Sequence, residues 1–323
     1  MFSKFFIILN LLIFSTLSIF LNDFFIIWFF IEINNFIFIC LICFKISKKK
    51  IIFFYFIIQT IASLFLIFSL LYRSFFFLQF NYSKIIFILS LILKLGIPPF
   101  HLWIPLISLF INWEILFFFL SIQKITPLYI ISLIEIKPLI FYLIILSSSF
   151  ISTFKIIINL NFKIILTYSS INQTRWILLL IIFKNILWFI YFIVYSIILL
   201  IINLIFQFLK LSHNFFYTIK SLNLQLIYIF IFFNIARLPP LSFFFIKWLR
   251  IYTFLFNSNM YLIFIIILIN SFILIYIYIN IITLLIFFYS LKSKIFFIVN
   301  YPFKKTYLIL FIRFFLSLTI ILI

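Results

Sequence analysis

This sequence is short of almost everything that builds a water-soluble protein. Its 323 residues include one glycine, two cysteines, two histidines and four acidic residues, and only 9% of them are charged. So few charges cannot cover the surface of a soluble domain. One glycine leaves no Gly-rich loop for a phosphate or a dinucleotide. Two isolated histidines and a single Cys-x-x-C pair leave no cluster for haem, iron–sulfur or another metal. Cys40 and Cys43, which form that pair, close an apolar run and are expected as small buried side chains. Strand-like alternation of polar and apolar residues is missing too, which argues against a β-barrel.

What is present is hydrocarbon: 68% of residues are hydrophobic and 56 are phenylalanine. Runs such as "YLIFIIILINSFILIYIYINIITLLIFF" exceed the roughly 18–20 residues that cross a hydrocarbon core of about 30 Å. The first 20 residues could pass for a signal peptide, but no small-residue cleavage site follows and a new apolar run starts at Phe24, so they are expected to be a membrane helix. The expected fold class is therefore all-α, a polytopic transmembrane helix bundle forming one transmembrane domain over residues 1–323. Charged and Pro/Asn-containing joints divide it into eleven helices near 4–21, 24–44, 51–72, 84–110, 113–133, 138–155, 163–183, 185–209, 223–256, 259–289 and 304–322.

The formal charge of +20 sits mostly in these joints, which points to a membrane surface and not to nucleic acid. With eleven helices, alternate joints collect thirteen Lys and Arg on the N-terminal side and five on the other. The positive-inside rule then places the N-terminus in the compartment of synthesis.

Four ionisable residues fall inside apolar runs at similar depth. Counted at 1.5 Å per residue, Glu32 lies about 12 Å into its helix, Lys94 and Lys247 about 15 Å, and Lys124 about 16 Å. Each such group costs about 2.5–3.5 kcal/mol to insert, so the four are expected to face one another or trapped water. They read either as a proton path or as polar glue between helices. Desolvation disfavours a charged amine and a nearby carboxylate favours it, so a lysine that moves relative to Glu32 can hold or release a proton.

The stretch "LKLGIPPFHLWIP", Leu93 to Pro105, gathers the only glycine, two adjacent prolines, Lys94 and His101. Proline lacks the backbone donor and disfavours helix before it, so this span is expected to break there. His101 then has two readings, a proton shuttle or a cap for the broken helix. A second stretch, "RLPPLSFFFIKW", puts Pro239 and Pro240 ahead of Lys247. Two proline-broken helices, each with a lysine, suit antiporter-like inverted repeats. Arg175 and Arg237 receive no role.

These segments, with "WFFIEIN", "IQKITP" and "LTYSSINQTRW", occur in the order seen in the NADH dehydrogenase subunit 2 family. The chain resembles that family from about residue 24 to 250. Its members are the mitochondrially encoded, antiporter-like membrane subunits of respiratory complex I (NADH:ubiquinone oxidoreductase). The resemblance implies proton translocation along a mid-membrane axis whose residues fall here on Glu32, Lys94, Lys124 and Lys247, with His101 beside the first break. It implies no cofactor or metal on this chain, since NADH, FMN, iron–sulfur clusters and ubiquinone belong to other subunits of the complex. It also implies an obligate hetero-oligomer with other membrane subunits of complex I, in contact with membrane lipid but not nucleic acid. The location would be the mitochondrial inner membrane, multi-pass, with the N-terminus in the matrix, and eleven helices match the shortened animal form. Three positions depart from the family pattern: Leu106 replaces an acid, Gln173 to Trp176 replace His-x-Gly-Trp, and Arg237 replaces the glycine of "GLPP". A subunit of a cation/proton antiporter and a passive membrane scaffold remain alternative readings.

Overall fold

A computed structural model describes residues 2–44, 48–75, 80–134, 138–159, 161–183, 186–208, 233–235, 251 and 261–295. Regular structure among these residues is helical, with no strand. The helices are α1 (Phe2–Leu17, extended by a 3-10 turn Ser18–Phe20), α2 (Phe24–Cys43), α3 (Lys49–Phe75), α4 (Phe80–Leu95), α5 (Trp103–Phe110), α6 (Trp113–Leu120), α7 (Ile122–Leu133), α8 (Pro138–Ile158), α9 (Phe162–Ile182), α10 (Leu187–Phe208) and α11 (Tyr261–Ile295). The expected helices near 223–256 and 304–322 lie outside the described residues, apart from 233–235 and 251. Among the described residues, six segments are long and apolar enough to cross a membrane: Phe24–Cys43, Lys49–Tyr72, Trp113–Leu133, Phe141–Ile158, Leu187–Gln207 and Phe264–Thr283.

The burial pattern is that of a protein in lipid. Phe53, Leu64, Leu143 and Phe154 are exposed, while Ser69, Ser108, Ser148, Thr167 and Asn172 are buried. Hydrocarbon on the outside is tolerated only where the surroundings are hydrocarbon. Many of the buried hydroxyls are satisfied within their own helix. Ser69, Ser90, Ser108 and Thr167, for example, each donate to the carbonyl three residues earlier at 2.6–2.8 Å. Side chains that bond back onto their own helix cost little to bury.

The chain divides into two compact units, Met1–Ser148 with Ser170–Leu209, and Ser149–Ser169 with Lys210–Ile323. In the first, α7 is central and touches α1, α2, α4 and α6; α3 packs along α4, and α10 along α6. In the second, buried Asn270 of α11 donates to Ser149 Oγ of α8 at 2.9 Å.

Three expectations need correction. The span 113–133 is not continuous: Ser121, at φ −114° and ψ −76°, separates α6 from α7. Cys40 and Cys43 are exposed, not buried, because the end of α2 turns them away from the packed face that carries Phe38, Leu41 and Ile42. Lys163, expected in a polar joint, is buried at the second position of α9.

Candidate functional site

The site begins at the break between α4 and α5. Gly96 has a φ of +60°, a conformation that costs an L-residue about 1–2 kcal/mol. Its N–H bonds to the Leu93 carbonyl and the next N–H, of Ile97, reaches back to the Ile92 carbonyl, each at 3.2 Å. This paired bond pattern is how a helix ends on a left-handed glycine, with Ile92 and Ile97 buried beside it. A Cβ at residue 96 would overlap the Ile104 side chain, so conformation and space both require glycine. The chain then turns through a cis Pro98–Pro99 bond, and Phe100 N–H closes the turn on the Ile97 carbonyl at 2.9 Å. Trp103 Nε1 donates to the Leu93 carbonyl at 3.2 Å, tying the two half-helices together. Pro105 falls in the first turn of α5, where a missing donor costs nothing.

This break leaves Lys94 in the last turn of α4, where the negative end of the helix favours a cation. Its Nζ is 2.8 Å from Glu32 Oε1 of α2, with the lysine side chain 2% and the glutamate 16% exposed. Four rings from four helices pack nearby. Phe119 of α6 stacks on Phe38 of α2 at 6.0 Å and meets Trp103 of α5 edge-on at 5.6 Å. Tyr55 of α3 touches all three. Offset and edge-on contacts of this kind are the favoured geometry for aromatic rings.

Tyr55, Trp103 and Phe119 also line a small cavity, together with Lys94, Lys124, Asn35, Gln59 and Gln123. Measured to water centres it is about 10 Å³, room for one water molecule. The cavity joins the two lysines. Lys124, 3% exposed at the start of α7, donates to Ser170 Oγ of α9 at 3.1 Å. The Ser121 interruption sits one turn before it, and Lys124 N–H bonds to the Ser121 carbonyl at 2.9 Å. Each cavity lysine thus stands next to a discontinuity in its helix. Chemically the arrangement is a carboxylate–amine pair, a second amine, and polar room between them.

The sequence is 32% identical over 260 residues to NADH-ubiquinone oxidoreductase chain 2 of Anopheles gambiae, which spans 76% of this chain and 75% of that protein. The chain belongs to the NADH-ubiquinone oxidoreductase chain 2 family. Members from Artemia franciscana (30% over 230 residues, 69% of this chain and 71% of that one) and Rhipicephalus sanguineus (33% over 258 residues, 77% and 79%) agree. No family model matches the sequence. A chain in a solved structure of respiratory complex I from Thermus thermophilus with bound aureothin superposes with a TM-score of 0.73 at 16% identity, over 87% of this chain and 70% of that one. A chain of the Mrp complex from Dietzia sp. DQ12-45-1b gives 0.67 at 14% identity, over 80% and 56%. At such identities the likeness is one of fold.

Within this chain 2 family member, the structure brings Glu32, Lys94 and Lys124 to one place. His101 is buried on the far side of the break, with its carbonyl accepting from Ile104 N–H at 3.3 Å, and it is not among the side chains lining the cavity. Lys247, Arg237, Pro239 and Pro240 lie outside the described residues. Where the family pattern has His-x-Gly-Trp, Gln173 accepts a hydrogen bond from the Tyr191 hydroxyl, and the Arg175 guanidinium lies 5.2 Å from the Trp176 ring. Ser170, Tyr55, Asn35, Gln59 and Gln123 were not singled out from sequence. Serine and amide residues are scattered along every run, and nothing in the chain marks these.

Proposed function

We propose that this chain is a proton-translocating membrane-arm subunit of respiratory complex I, moving protons along a row that begins at Glu32, Lys94 and Lys124 and continues to Lys247. The reading is supported by membership of the chain 2 family and carried by one observation: a part-buried Glu32–Lys94 ion pair at a helix break, whose lysine lines a cavity shared with Lys124. Redox chemistry belongs to other subunits, which hold NADH, FMN, iron–sulfur clusters and ubiquinone. This chain sits beside other membrane subunits in the mitochondrial inner membrane, with its N-terminus in the matrix.

The mechanism follows from the geometry. With Glu32 against it, Lys94 holds a proton. Drawing the carboxylate away leaves a charged amine in a site without countercharge, and the proton moves through the cavity toward Lys124. A change of about 3 pKa units in such an amine corresponds to about 4 kcal/mol, within reach of a modest conformational step. The Gly96–Pro99 break and the Ser121 interruption supply places where such a step can occur without unwinding a whole helix.

The test uses the intact complex in sealed vesicles. NADH oxidation should acidify the vesicle lumen without a sodium requirement, and the Lys94→Met complex should assemble and lose at least nine-tenths of that acidification. Acidification that needs a sodium gradient would favour the antiporter reading. Normal acidification with poor assembly would favour a scaffold.

A further inference from the structure

Lys94 and Lys124 share a cavity but have opposite kinds of partner. Lys94 faces a carboxylate, whose negative charge and acceptor-only oxygens strongly favour the ammonium over the neutral amine. Lys124 faces a hydroxyl, Ser170 Oγ, 3.1 Å away in a site where both residues are buried. A hydroxyl accepts from an ammonium and, after turning, donates to a neutral amine. We propose that Ser170 is a positioning residue for Lys124, holding the amine in one place in both of its protonation states so that Lys124 exchanges protons reversibly while Lys94 is governed by Glu32.

The exchange is balanced: Ser170 keeps its own proton throughout, and what reverses is the direction of its hydrogen bond to Lys124. The surroundings fit an uncharged partner. Facing Lys124 from the packed elements are Lys94 of α4 and Tyr55 of α3 across the cavity, with Glu32 of α2 engaged by Lys94. Beyond Ser170 stands Tyr195 of α10, and the acid at the start of α6, Glu114, accepts from Gln207. None of these places a carboxylate on Lys124. The same helix shows how local the choice is. Thr167, Ser169 and Thr174 each turn their hydroxyls onto backbone carbonyls of α9, and Ser170 Oγ is the α9 hydroxyl that accepts from the Lys124 amine.

This inference rests on the proton-translocation reading, and the experiment separates the two. In the intact complex, coupled turnover is measured against pH for Ser170→Ala, Ser170→Cys, Ser170→Thr and Lys124→Met. A hydrogen bond to a charged group exceeds one to a neutral group by an amount equivalent to about one pH unit. Ser170→Ala and Ser170→Cys, which lose the strong acceptor, should each displace the profile by about that much, and Ser170→Thr should restore it. If Ser170→Ala does not assemble, the Cys and Thr pair decides. Unshifted profiles in Ala or Cys, with coupled turnover lost in Lys124→Met, overturn the role of Ser170 alone. Coupled turnover retained in Lys124→Met overturns the reading beneath it.

Discussion

Replacing Glu32 by Gln keeps the size of the side chain and removes its charge. The carboxylate lies 2.8 Å from an amine whose side chain is 2% exposed, so Lys94 would be left with no countercharge and little water. Breaking one half of a buried pair costs about 3–5 kcal/mol; the 16% exposure of Glu32 argues for the lower end, about 3 kcal/mol. That is about two orders of magnitude in the population of the competent arrangement. Lys94→Met should cost a similar amount by stranding the acid. The double variant removes both charges, and an apolar replacement of a buried pair is often neutral or stabilising. The assay is NADH-driven proton pumping by the intact complex, with thermal stability followed in parallel. Each single variant should pump at about one-hundredth of the normal rate. The double should pump no worse than Lys94→Met and be at least as stable as either single. Losses that multiply in the double variant would show two independent residues and refute the coupling argued from the geometry.

Two further expectations concern the scaffold of the site. Gly96→Ala must adopt a left-handed backbone and overlap Ile104, so it should cost more than the roughly 1–2 kcal/mol of the backbone alone and lower both the thermal midpoint of the complex and the yield of assembled protein. Asn270→Ala, which loses the bond to Ser149, should cost only about 0.6 kcal/mol, because interhelical hydrogen bonds in membranes are individually weak. A large loss there, read from the same melting curves, would mean that Asn270 does more than join helices.

The helix break was legible because its chemistry is local. Gly96 frees and Pro98 and Pro99 restrict backbone conformation wherever they occur, so the end of α4 is written in the sequence itself. Glu32, Lys94 and Lys124 stood out because charge in an apolar run is costly. Their neighbours did not stand out. In a soluble helix the polar face shows which side is buried, but α2 is apolar on nearly every side and α9 mixes polar and apolar residues all round while being buried almost throughout, so neither shows a face. Nothing therefore indicated that Ser170 faces Lys124 while Ser169 bonds back to its own helix. The same loss of face information hid the exposure of Cys40 and Cys43 and the burial of Lys163. The interruption at Ser121 was missed for another reason: its nearest breaker, Pro127, lies six residues downstream.

The most direct measurement is the number of protons translocated per NADH oxidised by the intact, fully assembled complex carrying Lys124→Met. The expected result is a lower ratio, or pumping and electron transfer that fail together. An unchanged ratio at an unchanged rate of NADH oxidation would contradict a proton route through Lys94 and Lys124.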